Sequence, residues 1–472
     1  MKVTTYTFRR SFISQSTYWI IVMVVAGVAG VTFFRLVPTA YTAPTQISIC
    51  RSDGCTLTIP RYKVFMSLTD PNTVWAMFEK SSGNFMKTTD GGATWSTPIT
   101  VRSWIDYHAS LSGDGVGNIY VTDPGSGNVY FRKINSPAVA TGDMATPITL
   151  TSAFLPAGVA TRSNVLAQDE DNIWVFARTS INTTGNVRYF HSTDGGATFP
   201  YEGWVNNTGY ENVRIGSLLI NSQPAVVIWY SDDSSNVGWG YKYFIWDGVQ
   251  FVANADSSIV WGSKIYRREY AMSFVNEEFH VIYPDNYNHL IHSWKEYNNG
   301  TGSWNQSTIV TLPYNPSDWH PSLTRHGNSL YLFYIKQESS TADNNNAYYR
   351  IWDTTSHTWT DPVAITTDGL ANKFPTGPAV ANPTADYIPI IWSTTGPVVM
   401  YTKISTNPTL ACTESWSCTD WSVCANSTQT RTCSDANNCG TTDQKPVESQ
   451  SCQDPVISDT TAPSAISDLV AE

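Results

Sequence analysis

Short apolar runs of alternating polarity recur along residues 61–405, each introduced by a polar turn. They begin at Asp70-Pro71-Asn72-Thr73-Val74-Trp75, Gly117-Asn118-Ile119-Tyr120-Val121 and Asp171-Asn172-Ile173-Trp174-Val175. They continue at Gln223-Pro224-Ala225-Val226-Val227, Glu278-Phe279-His280-Val281-Ile282, Asn328-Ser329-Leu330-Tyr331-Leu332 and, more weakly, Tyr387-Ile388-Pro389-Ile390-Ile391. A second alternating run follows each, such as Asn128-Val129-Tyr130-Phe131 or Tyr348-Tyr349-Arg350-Ile351. Period-two alternation is the signature of half-buried strands, and no long run has helical periodicity. The spacing, about 45–60 residues, is that of one four-stranded propeller blade. The pattern predicts an all-β chain whose body is a β-propeller of seven blades, with six as the alternative count. The last unit, about 372–405, is one strand short. The segment 46–60 is placed to supply that strand, which would close the ring and remove its sheet edges.

One connection repeats almost letter for letter. Thr88-Thr89-Asp90-Gly91-Gly92-Ala93-Thr94-Trp95 and Ser192-Thr193-Asp194-Gly195-Gly196-Ala197-Thr198-Phe199 both fall where a third strand meets a fourth. Turn chemistry explains the letters: the Asp carboxylate accepts hydrogen bonds from the following amides, and Gly-Gly permits positive φ. Asp247-Gly248 and Asp353-Thr354-Thr355 stand at the equivalent place as degraded versions. The motif resembles the Asp-box, or BNR repeat, of sialidase-like propellers. The resemblance covers roughly 56–405 and implies that Asp90, Gly92, Trp95, Asp194, Gly196 and Phe199 are structural.

Composition supports strands: 13% of residues are aromatic, with 18 Trp and 25 Tyr, and only 14% are charged. A net charge of −11 with 28 Lys and Arg excludes a nucleic-acid partner and suits a neutral or weakly charged one. The few cations are therefore informative where they cluster. Arg61, Arg162, Arg214, Arg267 and Arg268 all fall near the starts of innermost strands. In a propeller these starts ring one mouth of the central channel, and Arg holds a carboxylate bidentately. Two starts share a six-residue pattern, Asp106-Tyr107-His108-Ala109-Ser110-Leu111 and Asp318-Trp319-His320-Pro321-Ser322-Leu323. They lie about four blades apart, across the axis. Asp106, His108, Asp318 and His320 are the candidate acid/base groups, and Trp319 a candidate for stacking on a sugar ring. The sialidase resemblance implies an Arg triad, a Tyr-Glu nucleophile pair and an Asp acid/base. The Arg-Ile-Pro motif of that family is missing, and no Tyr-Glu pair follows from spacing. No metal site is expected. Calcium is the one cofactor left room for, at Asp169-Glu170-Asp171 and Asp232-Asp233, both in turns where carboxylates are commonplace. Sequons at Asn182, Asn206, Asn299, Asn305 and Asn426 fit extracellular loops.

The two ends place the chain. Lys2, Arg9 and Arg10 precede an apolar run from Tyr18 to Phe34. Basic residues stay cytoplasmic, so 1–45 reads as an export signal, either an uncleaved single-helix membrane anchor or a cleaved signal peptide. All eight cysteines lie beyond it. Cys50 and Cys55 bracket a tight turn, and Cys412, Cys418, Cys424, Cys433, Cys439 and Cys452 form a cluster. Such clustering implies disulfides in an oxidising compartment. Within 409–453, Trp416, Trp421-Ser422-Val423-Cys424 and Gln429-Thr430-Arg431-Thr432-Cys433 resemble a thrombospondin type 1 repeat. That resemblance implies a cation–π ladder with Trp416, Trp421 and Arg431 as rungs. Residues 454–472, with Thr461-Ala462-Pro463 and Ile466-Ser467-Asp468-Leu469, resemble the linker and first strand of a fibronectin type III domain. The sequence thus implies an extracellular or cell-surface protein, its propeller spanning 46–408. Its function is recognition of a glycan or a surface protein. The alternatives are a sialidase-like glycoside hydrolase with its site at the channel mouth, and a structural spacer.

Overall fold

The computed structural model describes residues 44–49, 63–79, 83–102, 109–124, 128–134, 146–151, 160–181, 184–232, 237–253, 270–285, 288–297, 304–312, 319–338, 345–368, 370–394, 398–406, 416–435 and 445–453. Residues 1–43, Cys50, Cys55 and 454–472 lie outside them. No helix among the described residues is long and apolar enough to cross a membrane.

The strands form a seven-bladed β-propeller. Blade 1 is Val64–Met66, Val74–Glu79, Gly83–Thr88 and Ile99–Arg102. Blade 2 is Ser110–Gly113, Ile119–Asp123, Val129–Ile134 and Ile148–Leu150. Blade 3 runs through Ala160–Ala167, Ile173–Ile181 and Thr184–Ser192 into a long strand, Tyr201–Ile220. The first half of that strand closes blade 3, and its second half opens blade 4 against Gln223–Asp232. Val237–Trp246 and Phe251–Ala253 complete blade 4. Blade 5 is Ala271–Val275, Glu278–Pro284, His289–Glu296 and Asn305–Thr311. Blade 6 is Ser322–His326, Ser329–Gln337, Asn345–Asp353 and Thr358–Trp359. Blade 7 has only three strands from its own stretch of chain, Lys373–Thr376, Tyr387–Thr394 and Val398–Ser405. Its fourth is Thr45–Ile49, antiparallel to the third, with Thr45 opposite Tyr401. The seven alternating runs of the sequence are the seven second strands.

There is no single core. Each sheet is apolar on both faces, and the apolar side chains form layers between neighbouring blades. Trp75, Phe85, Leu111 and Val121 fill the layer between blades 1 and 2, and Trp229, Tyr243, Met272 and Phe279 that between 4 and 5. A layer reaching from blade 6 through blade 7 to blade 1 joins Phe333, Tyr401 and Val74, so the ring is closed by packing as well as by the borrowed strand.

The two Asp-Gly-Gly-Ala-Thr turns close as their letters require. Asp194 accepts hydrogen bonds from the Thr198 amide at 2.8 Å, the Thr198 hydroxyl at 2.6 Å and the Ser192 hydroxyl at 2.7 Å. Asp90 is held the same way by Thr94 and Thr88. Trp95 then packs edge-on against Tyr401 of the preceding blade, and Phe199 against Phe131. The degraded turns keep part of the device: Asp247 caps the Val249 and Gln250 amides, and Asp353 those of Thr355 and Ser356. Burial pushes the Asp194 carboxyl up, but the hydrogen bonds from Thr198 and Ser192 override it and hold it down to about 2. A carboxyl whose folded pKa is depressed stabilises the fold above its ordinary value and loses that contribution as pH falls through the folded one. Acid unfolding between about pH 4 and about pH 2 is therefore expected to be shallower in Asp194→Asn than in the parent, followed by intrinsic fluorescence. Identical acid slopes would refute this.

Beyond the propeller, the disulfide Cys418–Cys433 joins the paired strands Trp416–Cys418 and Cys433–Asp435, and Cys424–Cys452 lies outside the second pair, Thr428–Thr430 with Ser449–Ser451. Arg431 lies over the Trp421 ring at 4.5 Å, and Lys445 over Trp416 at 5.6 Å. The second rung is thus capped by a lysine that the sequence pattern did not mark. Cys412 and Cys439 lie outside the described residues.

Candidate functional site

Antiparallel connectivity decides which end of the propeller each residue occupies. Every first strand starts at one end, and the turns joining third to fourth strands lie at the other. The Asp-boxes are therefore remote from the mouth formed by the first-strand starts. Below that mouth a small cavity of about 20 Å³ opens between the first strands. Asn164 of blade 3, Ser217 of blade 4, Met272 of blade 5, Ser322 of blade 6 and Thr376 of blade 7 line it. Its wall mixes these polar groups with the apolar side chains of Ile215, Tyr270 and Leu323. Ser217 Oγ donates to Asn164 Oδ1, joining blades 3 and 4 across it. Ser110 Oγ accepts from the Val165 amide at 3.3 Å.

Arg162 stands two residues before Asn164 and on the same side of its strand. It is only 8% exposed. Its Nε and Nη1 are buried and have no hydrogen-bond partner among the described residues. Lys63, at the start of blade 1, differs: it is equally buried, but its Nζ donates to the Ala109 carbonyl at 2.6 Å. His320, at the start of blade 6, is 5% exposed and has a left-handed backbone with φ 45°. Its ring lies 3.8 Å from that of Phe374, itself at φ 55°. Two non-glycine residues in this region, in contact at the mouth, mark local backbone strain.

The residues expected at the mouth fare differently. Arg162 and His320 are there. Arg61, Arg267, Arg268, Asp106, His108 and Asp318 lie outside the described residues, as does the side chain of Arg214. Trp319 is a correction: it is fully buried in the apolar layer between blades 5 and 6 and offers no face to a sugar. The pattern that suggested it alternates, and the side chain on that side of the strand turns into the layer. Of the calcium candidates, Asp169 accepts hydrogen bonds from the Asp171 and Asn172 amides and from the Asn172 side chain, which makes it a turn cap.

Sequence reasoning missed the use made of the other cations. Lys87, Lys133, Arg188, Lys295 and Lys403 all stand on third strands. They lie over Trp75, Tyr120, Trp204, Trp304 and Tyr387 at 4.4, 5.7, 4.4, 5.5 and 4.6 Å. Burial lowers the pKa of Lys87. The signal was readable, since Trp75 faces Lys87 and Tyr120 faces Lys133 directly across a hairpin. These cations serve packing between sheets, whereas Arg162 has no such partner among the described residues.

No protein-family model and no curated protein matches the chain. Solved structures share its fold. The polysaccharide lyase Uly1 matches 74% of this chain and 90% of its own, at 9% identity and a TM-score of 0.51. The GH93 α-L-arabinofuranosidase of Fusarium graminearum, in complex with arabinobiose, matches 67% of this chain and 99% of its own, at 11% identity and a TM-score of 0.43. The α-L-arabinanase of Penicillium chrysogenum matches 63% and 92%, at 8% identity and a TM-score of 0.42.

Proposed function

We propose that this chain is an exported, surface-displayed propeller that binds an acidic glycan at the channel mouth. One observation carries the reading: a buried guanidinium with two nitrogens that have no partner among the described residues, beside a small cavity lined in part by polar groups. Burying a charge without a counter-ion is costly, and a fold tolerates that cost where a ligand supplies the counter-ion. A planar fork of N–H donors matches a carboxylate, and the hydroxyl and amide groups of Ser217, Ser322, Thr376 and Asn164 match the hydroxyls of a sugar. The fold shared with a polysaccharide lyase accords with a carbohydrate ligand. The disulfides of 416–453 accord with export. The Trp421–Arg431 stack accords with an adhesive module of thrombospondin type 1 character.

A second reading, a sialidase-like glycoside hydrolase, draws on His320, whose strained backbone at the mouth is what a positioned catalytic group would show. The test is a glycan array of uronate- and sialate-containing oligosaccharides and their neutral counterparts, run beside a fluorogenic glycoside panel. Binding confined to acidic glycans and lost in Arg162→Gln is the expected result. Equal binding of neutral glycans, or none at all, refutes the first reading. Turnover abolished by His320→Ala establishes the second.

A further inference from the structure

The junction between blades 5 and 6 holds a chain of titratable groups that the channel mouth does not use. Glu278 and His280 stand on the second strand of blade 5 and His292 on its third. His357 belongs to the degraded Asp-box turn of blade 6, and Trp359 to the strand after it. Glu278, His280 and His292 are 5%, 0% and 0% exposed. Trp359 Nε1 lies 3.1 Å from His292 Nδ1, and His292 Nε2 lies 3.0 Å from His280 Nδ1. His280 Nε2 faces Glu278 Oε2 at 3.4 Å, and Glu278 Oε1 meets His357 Nε2 at 2.6 Å.

The indole assigns every proton in this chain. An indole N–H can only donate, so His292 Nδ1 accepts and the His292 proton sits on Nε2. That N–H donates to His280 Nδ1, which leaves the His280 proton on Nε2, directed at the carboxylate. His357 donates to the other carboxylate oxygen. Both buried imidazoles are neutral in this arrangement, and His280 Nε2 and Glu278 Oε2 face each other at 3.4 Å without a hydrogen-bond partner among the described residues. A second proton on His292 would oppose the indole N–H. One on His280 would oppose the His292 N–H. Burial also pushes both imidazoles below their ordinary pKa.

Register shows what this chain replaces. In blade 7, Ile391 faces Tyr401 and Pro389 faces Lys403; in blade 5, Ile282 faces His292 and His280 faces Trp294. His292 thus holds the position of Tyr401, the ring that packs under the Asp-box of blade 1. At this junction a contact between an aromatic ring and a turn has become a titratable one. A cavity of about 330 Å³ opens beside it, lined by Glu277, Glu278, Glu296, Tyr297 and His357 among others. The remaining charged groups nearby are engaged elsewhere. Asp353 caps its own turn, Lys295 lies over Tyr243 and Trp304, and the first strand, Ala271–Val275, carries no titratable residue.

We propose that this junction is an acid-released latch. It is closed at neutral pH and opens as pH falls below the ordinary imidazole range, uncovering Glu278 beside Glu277 and Glu296. The sign follows from linkage. An imidazole whose pKa is lower in the closed state binds its proton more tightly in the open one, so closure is complete above about pH 6.5 and weakens below it. Glu278, whose pKa is lowered by His280 and His357 against the effect of burial, keeps its charge through that window.

Hydrogen–deuterium exchange on the full chain tests this, with rates corrected for intrinsic pH dependence. Amides of 278–296 and 352–360 are expected to lose about tenfold or more in protection between about pH 7.5 and about pH 5, at up to tenfold per pH unit for each proton taken up. Amides of 86–95 and 398–405, at the junction of blades 7 and 1, keep theirs. His292→Gln supplies an acceptor for the indole and a donor for His280 without an ionisation, and it is expected to hold its protection at the lower pH. Unchanged protection in the parent, or the same loss in His292→Gln, overturns the latch. If that variant does not fold, histidine 15N NMR of the parent decides. Both buried imidazoles as Nε2–H tautomers titrating below the ordinary value support it, and an Nδ1–H tautomer or ordinary titration overturns it.

Discussion

Arg162→Gln is expected to give a protein that is more stable than its parent and no longer binds the acidic glycan. Most substitutions of a buried residue destabilise, so the direction is diagnostic. The parent has two guanidinium nitrogens without partners among the described residues, in a side chain only 8% exposed. An unsatisfied buried polar group costs about 1–3 kcal/mol, and more when charged. Glutamine retains much of the side-chain volume and hydrogen-bonding capacity without the charge, so about 1–3 kcal/mol should be recovered, measured as a raised denaturation midpoint at unchanged slope. Hydrogen bonds to charged groups contribute about 1.5–3 kcal/mol, so affinity for a carboxylate-bearing glycan should fall by about 10- to 100-fold. The same change that stabilises the fold removes the function, the trade expected where a site is kept strained for its ligand. Lys63 supplies the contrast. Its ammonium is satisfied by the Ala109 carbonyl, so Lys63→Met should cost stability. If Arg162→Gln were destabilised like Lys63→Met, the guanidinium would belong to the architecture and the proposed site would fall.

The contrast between these two cations shows where sequence reasoning reaches. Strand alternation and turn chemistry are local, and they are written in neighbouring residues. The seven second strands and the turns at Asp90 and Asp194 were therefore legible. So was the missing strand of blade 7, because a three-stranded last unit and an unassigned strand near the N-terminus imply each other. The site was less legible, because it depends on which side of a strand each residue faces and on what stands opposite it in another blade. Trp319 and His320 are adjacent in sequence, yet one is sealed in the layer between blades 5 and 6 and the other stands at the mouth beside Phe374. Nothing within Asp318-Trp319-His320 distinguishes them. Asn164, Ser217 and Ser322 look like ordinary strand residues until three blades bring them to one cavity. The relay from Trp359 to Glu278 was hidden for the same reason, as its members come from two blades. The cation–aromatic pairs on the third strands were within reach, because a hairpin of known register places Lys87 opposite Trp75.

Gly92→Ala is expected to be the most destabilising of the conservative changes considered, at roughly 3–5 kcal/mol, whereas Gly248→Ala should cost roughly 1–2 kcal/mol. Both glycines lie in turns between third and fourth strands, and both have positive φ, +92° and +103°. Backbone strain is therefore common to the two and amounts to about 1–2 kcal/mol for an L residue. What separates them is the neighbouring blade. A Cβ on Gly248 would meet nothing within 4 Å, while one on Gly92 would lie 2.1 Å from Cε1 of Tyr401. That ring cannot withdraw. It is 3% exposed, packs edge-on against Trp95 and donates its hydroxyl to the Gly91 carbonyl at 2.9 Å. The clash also falls where the ring of blades closes, on a contact between residues 310 apart in sequence. A double-mutant cycle isolates the cause. In a Tyr401→Ala background the ring is gone, and adding Gly92→Ala should cost only the backbone strain it shares with Gly248→Ala. If the cost of Gly92→Ala were the same in both backgrounds, the second glycine of the Asp-box would be there for its turn alone, not to admit the ring of the preceding blade.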